Sequence, residues 1–505
     1  MATPIPKNHA SFTIPEILEA TGGSVLTGEG SGVEVVTGVS TDTRALDPGA
    51  AFVAIRGATF DGHDHLKAAQ AAGTAVAIVD QDVLPPAGLV TIRVGSTVEA
   101  LGLLARAHVR RWRALGGERR VIAITGSAGK TTTRVALTAL LERLRPSEVH
   151  ATQGNLNNLI GAPMILLGLL PEHRYAVVEV ATNTRGEIEA LAAIAEPDMG
   201  IVTLIDAAHT EKLGSLEGVA TEKGALFQAL PAWGHAIGNI DSELVARELS
   251  RARADHKLAY GFTEGADARV VSRELAGLTL SHLTVVRRDP GGTERRLDVT
   301  TPLLGEAGAL ACAGAILAAE SALGSPISGA EASVAFATAD VGAGAGRLVP
   351  VTLADGLLLI DDSYNANPAS SAASIRAASE IARAHKRRLV LVLGEMRELG
   401  AETVRGHEQV GDAAGASGAE EVIAVRGEAI RIAERAAMAG VPATFAEDAA
   451  EASEAALRIA VAGDVVLVKG SRAVATERVA RALIEAHGGV AKGGALEALS
   501  GKVSE

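Results

Sequence analysis

The sequence predicts an α/β protein built from three successive units, on three observations. Short apolar runs of strand length alternate with longer amphipathic segments, the pattern of parallel sheets covered by helices. The chain has 505 residues, which at about 150 residues per domain is room for roughly three. Its character changes along its length, giving stretches of residues 1 to 110, 118 to 328 and 329 to 487.

In the first stretch the strand-like runs are Val33–Val36, Ala51–Ile55 and Val76–Val79, separated by Gly, Asp and Pro. The middle stretch opens with Val121–Ile124 and continues with Ala176–Val180 and Ile201–Ile205. The last repeats the alternation with Leu357–Ile360, Leu389–Leu393, Val422–Val425 and Val465–Val468. Val341–Gly346 reads as a flexible segment near the second junction, and the tail after Gly488 as loosely held. No internal repeat is evident.

Composition narrows the function. There are 47 basic and 60 acidic residues, a formal charge of −13. Such a chain lacks the basic surface of a duplex-binding protein, and 2% aromatics argue against base stacking, so no nucleic-acid partner is expected. The lone Cys312 excludes an internal disulfide and a Cys-based zinc site, and reads as a small buried hydrophobe. The longest apolar run, Ala307–Ala319, stops at Glu320, short of the roughly 20 residues of a membrane span. Met1–Lys7 lacks the basic-then-apolar pattern of a signal peptide. A soluble, cytoplasmic monomer is the expectation.

The strongest local signal is Thr125-Gly126-Ser127-Ala128-Gly129-Lys130-Thr131-Thr132. It follows a strand-like run and precedes a helix with Leu137, Leu140, Leu141 and Leu144 on one face. Strand, glycine loop and helix N-terminus together make a phosphate cradle. Glycines let backbone N–H groups turn toward phosphate, Lys130 reaches the β- and γ-phosphates, and the Thr131 hydroxyl binds Mg²⁺. An ordinary glycine-rich turn is the alternative, and the Lys-Thr pair weighs against it. The glycine usual six residues before the lysine is replaced by Ile124, so this is a shorter GxxGKT variant. Glu179 ends the run Ala176–Val180, a strand-end position suited to holding a cation. Tyr364, Asn365 and Asn367 stand just past Leu357–Ile360, where open α/β sheets build ligand sites. Taken alone, Asn155, Asn157 and Asn158 read as turn or capping residues, and Lys223 as a helix-surface lysine.

Further motifs follow in order: Gly154-Asn-Leu-Asn157-Asn158, Glu179, Ala208-His209, Glu222-Lys223-Gly224, Asp361-Asp362-Ser-Tyr364-Asn365-Ala-Asn367-Pro368, Leu393–Gly400 and Val468-Lys469-Gly-Ser-Arg472. With the phosphate loop, this series resembles the ATP-dependent Mur ligases of bacterial cell-wall synthesis. The C-terminal motifs are similar to those of the branch that adds D-alanyl-D-alanine, and Asp42-Thr43-Arg44 with Asp61-Gly-His63 to the family's UDP-sugar-binding domain. The resemblance implies a small α/β UDP-binding domain (1–112), a central P-loop-type parallel sheet (113–328) and a C-terminal Rossmann-like α/β domain (329–505). It implies ligation of UDP-N-acetylmuramoyl-tripeptide to D-alanyl-D-alanine through an acyl phosphate, with ATP giving ADP and phosphate.

The same resemblance implies the remaining roles. His209 helps bind a second Mg²⁺ beside that held by Thr131 and Glu179. Lys223 is carbamylated by CO₂, becoming a carboxylate. Arg347 reaches the γ-phosphate. Thr43 and Arg44 contact the UDP-sugar, and Asn155, Asn157, Asn158, Tyr364, Asn365 and Asn367 contact substrate. Three departures stand out. The family's His-Asn pair and later Asn that seat the base are Ala307, Gly308 and Ala311 here, the Gly after its Glu-Met pair is Ala181, and the acid after Lys-Gly is Ala225. An altered base pocket is expected. Another amide ligase, of the folate-polyglutamate or meso-diaminopimelate-adding type, and a nucleotide-binding relative without turnover are the competing readings. Lys130, Glu179, His209 and Lys223 together argue against the last.

Overall fold

The computed structural model describes residues 4–28, 32–57, 59–206, 210–289, 291–339 and 348–489. Three main sheets run along the chain. The first has the order Ser24–Thr27, Val90–Arg93, Val76–Val79, Ala51–Val53, Val39–Ser40. Its last four strands are parallel and its first is antiparallel. The run Val33–Val36 lies largely outside this sheet: Val35–Thr37 pairs with Ser11–Thr13 in a separate antiparallel ribbon.

The helix Thr97–Ala114, capped by Ser96 accepting the Glu99 N–H, joins the first unit to the second. Its buried Leu101, Leu104, Val109 and Trp112 belong to a core shared by both. Its polar edge is tied down as well, through His108 Nε2 on the Leu169 carbonyl (2.8 Å) and Trp112 Nε1 on the His173 carbonyl (3.0 Å).

The central sheet has nine strands. From Val149–Ala151 to Ala268–Leu275 every neighbouring pair is parallel. The parallel sheet expected from the sequence carries an antiparallel extension at one edge, where Ala268–Leu275, Ser281–Arg288 and Glu294–Thr301 pair antiparallel. The physical reason is burial on one face only: Leu283, Val285, Leu297 and Val299 point into the core while polar residues alternate with them. Period-two alternation of this kind escapes a search for continuous apolar runs.

The long apolar run is part of the helix Gly305–Leu323, which packs on the phosphate-loop helix Lys130–Leu144 within one core. Among the described residues it is the one helix long and apolar enough to cross a membrane, and most of it is buried inside the protein. Cys312 sits within it, buried, its thiol pushed up to about 12 by desolvation. The helix Gly329–Ala337 adds Ala332, Ala335 and Phe336 to this same core. A boundary at 329 therefore falls ahead of a helix that packs with the middle unit.

The C-terminal sheet runs Val349–Thr352, Leu358–Asp362, Val465–Lys469, Leu389–Gly394, Glu421–Val425, Ala443–Ala446. All pairs but the first are parallel. Helices cover both faces, over two apolar clusters. The C-terminal ends of its central strands and of the strand Arg120–Thr125 open on one cleft of about 1250 Å³.

Candidate active site

The phosphate loop has the backbone a cradle needs. Gly126 has φ +150 and Gly129 φ +85, both in the region that excludes most side chains. A Cβ on Gly126 would collide with Thr203 Oγ1. Gly129 caps the helix Lys130–Leu144. The next strand end fixes the loop: Ser127 N–H donates to the Leu204 carbonyl (2.7 Å), and Thr203 Oγ1 donates to that of Ala128 (2.5 Å). Lys130 Nζ lies over the loop, 2.6 Å from the Gly126 carbonyl. Thr125 and Gly126 form the buried stem, and Ser127 to Thr132 line the cleft. Thr131 Oγ1 is buried with no hydrogen-bond partner among the described residues, an orphaned oxygen that fits an oxygen-seeking cation beside the loop.

Glu179 lies in the same cleft, 0% exposed at its strand end. Its carboxylate accepts from Arg134 Nε (2.9 Å) and Asn157 Nδ2 (3.3 Å), and its own N–H donates to Thr152 Oγ1 (2.9 Å). Arg134, one turn past Lys130 on the helix, is a site residue the sequence reading missed. Its signal was its place on the helix that begins at the loop. Among the described residues no group of three His, Cys, Asp or Glu is arranged to hold a metal ion by itself. His209 and Arg347 lie outside the described residues, as does the segment Val341–Gly346.

Lys223 corrects the surface-lysine alternative. It stands on the helix Leu216–Gln228, started by Ser215, and is 2% exposed on a stripe with Val219, Ala220, Leu226 and Phe227. Burial, and secondarily the charge of Lys130, push its ammonium down to about 7. Its neighbour Glu222 is buried too, its carboxylate accepting the N–H groups of Gly186 (2.7 Å) and Ile188 (2.9 Å). That pairing caps the helix Glu187–Ala195, whose Gly186 cap supplies no side chain.

The asparagines divide. Asn157 touches Glu179, and its carbonyl accepts the Ala181 N–H (2.8 Å). Asn158 Oδ1 accepts the N–H groups of Ile160 and Gly161, a turn role. Asn155, exposed, lines the cleft with both. Across the cleft, Asn367 caps the helix Pro368–Ala384 and reaches over with Nδ2 to the Ser127 carbonyl (3.2 Å). Tyr364 and Asn365 line the wall beside it. Beneath them a buried pair, Lys469 Nζ to Asp362 Oδ2 at 2.5 Å, also holds the Asn365 carbonyl (3.0 Å). Ala307 and Ala311 line the far end of the cleft with Leu304 and Leu310, a stretch of small and apolar residues. Thr43 and Arg44 do not line it. Arg44 is 87% exposed and paired with Asp42 (2.7 Å), whose carboxyl that guanidinium holds low.

Comparison with known proteins matches three stretches of this chain to one family: residues 35–109 to the Mur ligase family catalytic domain, 124–319 to the Mur ligase middle domain, and 346–472 to the Mur ligase glutamate ligase domain. The UDP-N-acetylmuramoyl-tripeptide–D-alanyl-D-alanine ligase of Escherichia coli K12 is 36% identical, over 91% of this chain and 97% of that one. Its counterpart in Mycobacterium tuberculosis H37Rv is 32% identical, over 94% and 98%. A crystal structure of MurF from Acinetobacter baumannii superposes with a TM-score of 0.79 at 29% identity, covering 96% of this chain and 100% of that one.

Proposed function

Because the chain belongs to the Mur ligase family, we propose that it joins D-alanyl-D-alanine to UDP-N-acetylmuramoyl-tripeptide, with ATP giving ADP and phosphate. The observation that carries this reading is the meeting of the phosphate loop, Glu179 and the Tyr364–Asn367 turn in one cleft. One wall is made for nucleotide phosphates, and the opposite wall stands at strand ends where a second substrate is received.

In this mechanism the tripeptide's terminal carboxylate attacks the γ-phosphorus, ADP leaves, and an acyl phosphate remains. The dipeptide amine, having lost a proton, attacks the acyl carbon, and phosphate departs as the amide forms. Charge gathers on phosphoryl oxygens in both steps, so fixed electrostatics are the chain's main contribution. Lys130 and the loop N–H groups neutralise the β- and γ-phosphates. Asn155, Asn157 and Asn158 line the approach of the acyl substrate. Asn367, through Ser127, couples the acceptor wall to the loop. Thr43 and Arg44 hold the UDP-sugar, at the N-terminal unit. Arg347 reaches the γ-phosphate from the C-terminal side.

Mg²⁺ fits the orphaned Thr131 hydroxyl and the Glu179 carboxylate, with His209 toward a second ion; when bound it supplies charge to the phosphates. A carbamate at Lys223 is supported by its depressed ammonium: the neutral amine is the form that attacks CO₂, giving a carboxylate after proton loss. Such chemistry uses ATP and nucleotide-linked precursors, so the reaction belongs in the cytoplasm.

Phosphate release is the test. It should require ATP, UDP-N-acetylmuramoyl-tripeptide and D-alanyl-D-alanine together. Release that is indifferent to the UDP-linked substrate would remove the ligase reading.

A further inference from the structure

We propose that Arg134 is a positioning residue for the cation at the phosphate loop: by engaging one oxygen of Glu179 it makes that carboxylate a one-oxygen ligand, and so selects Mg²⁺ over Ca²⁺. This rests on the nucleotide and Mg²⁺ reading of the cleft given above. Arg134 stands on the helix Lys130–Leu144, four residues past Lys130 and therefore on the same face, one turn on. Its Nε donates to Glu179 Oε1 at 2.9 Å, with 13% of the Arg134 side chain and 0% of the Glu179 side chain exposed.

The two residues face different spaces. Glu179 lines the main cleft with Lys130 and Thr131. Arg134 lines a second cavity of about 750 Å³, which also borders Thr131, Thr138, His150 and Thr152. The guanidinium thus meets the carboxylate from one side, and a cation among the phosphates meets it from the other. The carboxylate is held in place between them. Its strand pairs Glu179 with Ile124, at the start of the loop, and its N–H donates to Thr152 Oγ1 (2.9 Å). Asn157 Nδ2 donates to Oε2 (3.3 Å). Thr131 Oγ1, buried with no hydrogen-bond partner among the described residues, offers the cation a second protein oxygen.

The two ions ask different things of a carboxylate. Mg²⁺ takes six oxygens at about 2.1 Å, keeps several waters, and is satisfied by a single carboxylate oxygen. Ca²⁺ takes six to eight at about 2.3–2.6 Å and commonly draws on both oxygens of a carboxylate. To use both here, an ion must share Oε1 with a guanidinium and stand closer to its charge. An ion that needs one oxygen avoids both costs. The same pair offsets the cost of burying the carboxylate when no cation is bound.

The test reads binding, not turnover, and needs no acceptor, so it does not depend on which amide is made. The Kd of a non-hydrolysable ATP analogue is measured by calorimetry with saturating Mg²⁺ and with saturating Ca²⁺. The proteins are the full-length parent, Arg134→Met, Arg134→Lys and Glu179→Gln, the last with and without Arg134→Met. The parent should bind the Mg²⁺ complex more tightly. Arg134→Met should shift the ratio of the two constants about 10-fold toward Ca²⁺. Arg134→Lys, which keeps a charge beside Oε1, should lie between. On Glu179→Gln, adding Arg134→Met should shift the ratio no further, because Arg134 acts through that carboxylate. Melting curves show whether each variant folds. If Arg134→Met does not, Glu179→Asp, which draws the carboxylate back from Arg134, should show the same shift. An unmoved ratio with both complexes weakened equally overturns the proposal and leaves Arg134 a structural ion pair. Equal binding of the two complexes by the parent, or a shift that persists on Glu179→Gln, overturns it too. A parent that binds the analogue with neither metal overturns the phosphate-loop reading itself, and the proposal with it.

Discussion

Lys130 and Lys223 carry the same charge in type and opposite environments in fact. Lys130 stands at a helix N-terminus with its ammonium on a loop carbonyl. Its substitution by Ala should leave the fold intact and reduce phosphate release at least 1000-fold, about 4 kcal/mol of lost transition-state stabilisation. Circular dichroism beside the assay checks this, and near-parental turnover by a folded variant contradicts the loop's role. Lys223 is buried and held near 7 against an ordinary 10.5. Between those values the unfolded chain binds the proton and the folded chain does not, so this residue's contribution to stability rises with pH across that window. Below about pH 7 both states are protonated and the burial cost is complete. Lys223→Met should therefore melt several degrees above the parent near pH 6 in CO₂-free buffer, and the gap should narrow above pH 7 and close only as the pH approaches 10.5. A constant gap would contradict the buried ammonium. In the assay, Lys223→Ala should lose most activity, and short carboxylates in the buffer should restore part of it. A folded Lys223→Ala variant as active as the parent excludes an essential carbamate.

Helix Leu216–Gln228 is held by Glu222, a residue of the Glu222-Lys223-Gly224 motif to which the sequence reading assigned no role. Glu222 accepts two N–H groups at the start of the helix Glu187–Ala195. Removing it leaves the buried Ile188 N–H without a partner, while that of the exposed Gly186 turns to water, so Glu222→Ala should cost about 1–2 kcal/mol in a denaturant titration. Glu222→Gln, which keeps an acceptor, should cost less; equal losses would place the effect in packing. The element scale also shows what the sequence made legible. The spacing of Val219, Lys223 and Leu226 puts the lysine on the apolar stripe, a period that the surface reading of Lys223 passed over. The phosphate loop and the parallel strands were readable because each has a local signature. The cap on Glu187–Ala195 was not, since its partners lie 36 and 34 residues apart in sequence. Nor was the pairing of Arg134 with Glu179, which depends on where a strand end and a helix face meet. The antiparallel edge escaped because its strands bury alternate residues only.

At the scale of the whole molecule, the C-terminal unit meets the central one through Leu304, which joins its apolar core, through the Arg273–Glu380 ion pair (2.7 Å), and through contacts at the cleft. Thr210 Oγ1 donates to the Leu399 carbonyl (2.8 Å), and Asn367 bridges to Ser127. Gly400, at φ +53, packs where a Cβ would lie 2.8 Å from Glu211 Cα. A bulky residue there acts as a wedge, and Gly400→Val should open the cleft, raise the radius of gyration in solution scattering and lower kcat/KM about 10- to 100-fold. In the parent, nucleotide and UDP-linked substrate together should contract the molecule, since closure over an acyl phosphate excludes water. Scattering profiles that stay the same with both ligands bound would contradict closure as part of the mechanism.

The central claim is that this cleft joins one particular acceptor to one particular acyl donor. The most direct measurement is an acceptor panel: phosphate release and product mass with ATP and UDP-N-acetylmuramoyl-tripeptide, offering D-alanyl-D-alanine, single D-alanine, glutamate and meso-diaminopimelate in turn. The account predicts release, and a product heavier by one dipeptide less water, with D-alanyl-D-alanine alone. Equal or faster release with glutamate or meso-diaminopimelate, or release with no change in the mass of the UDP-linked substrate, would contradict it.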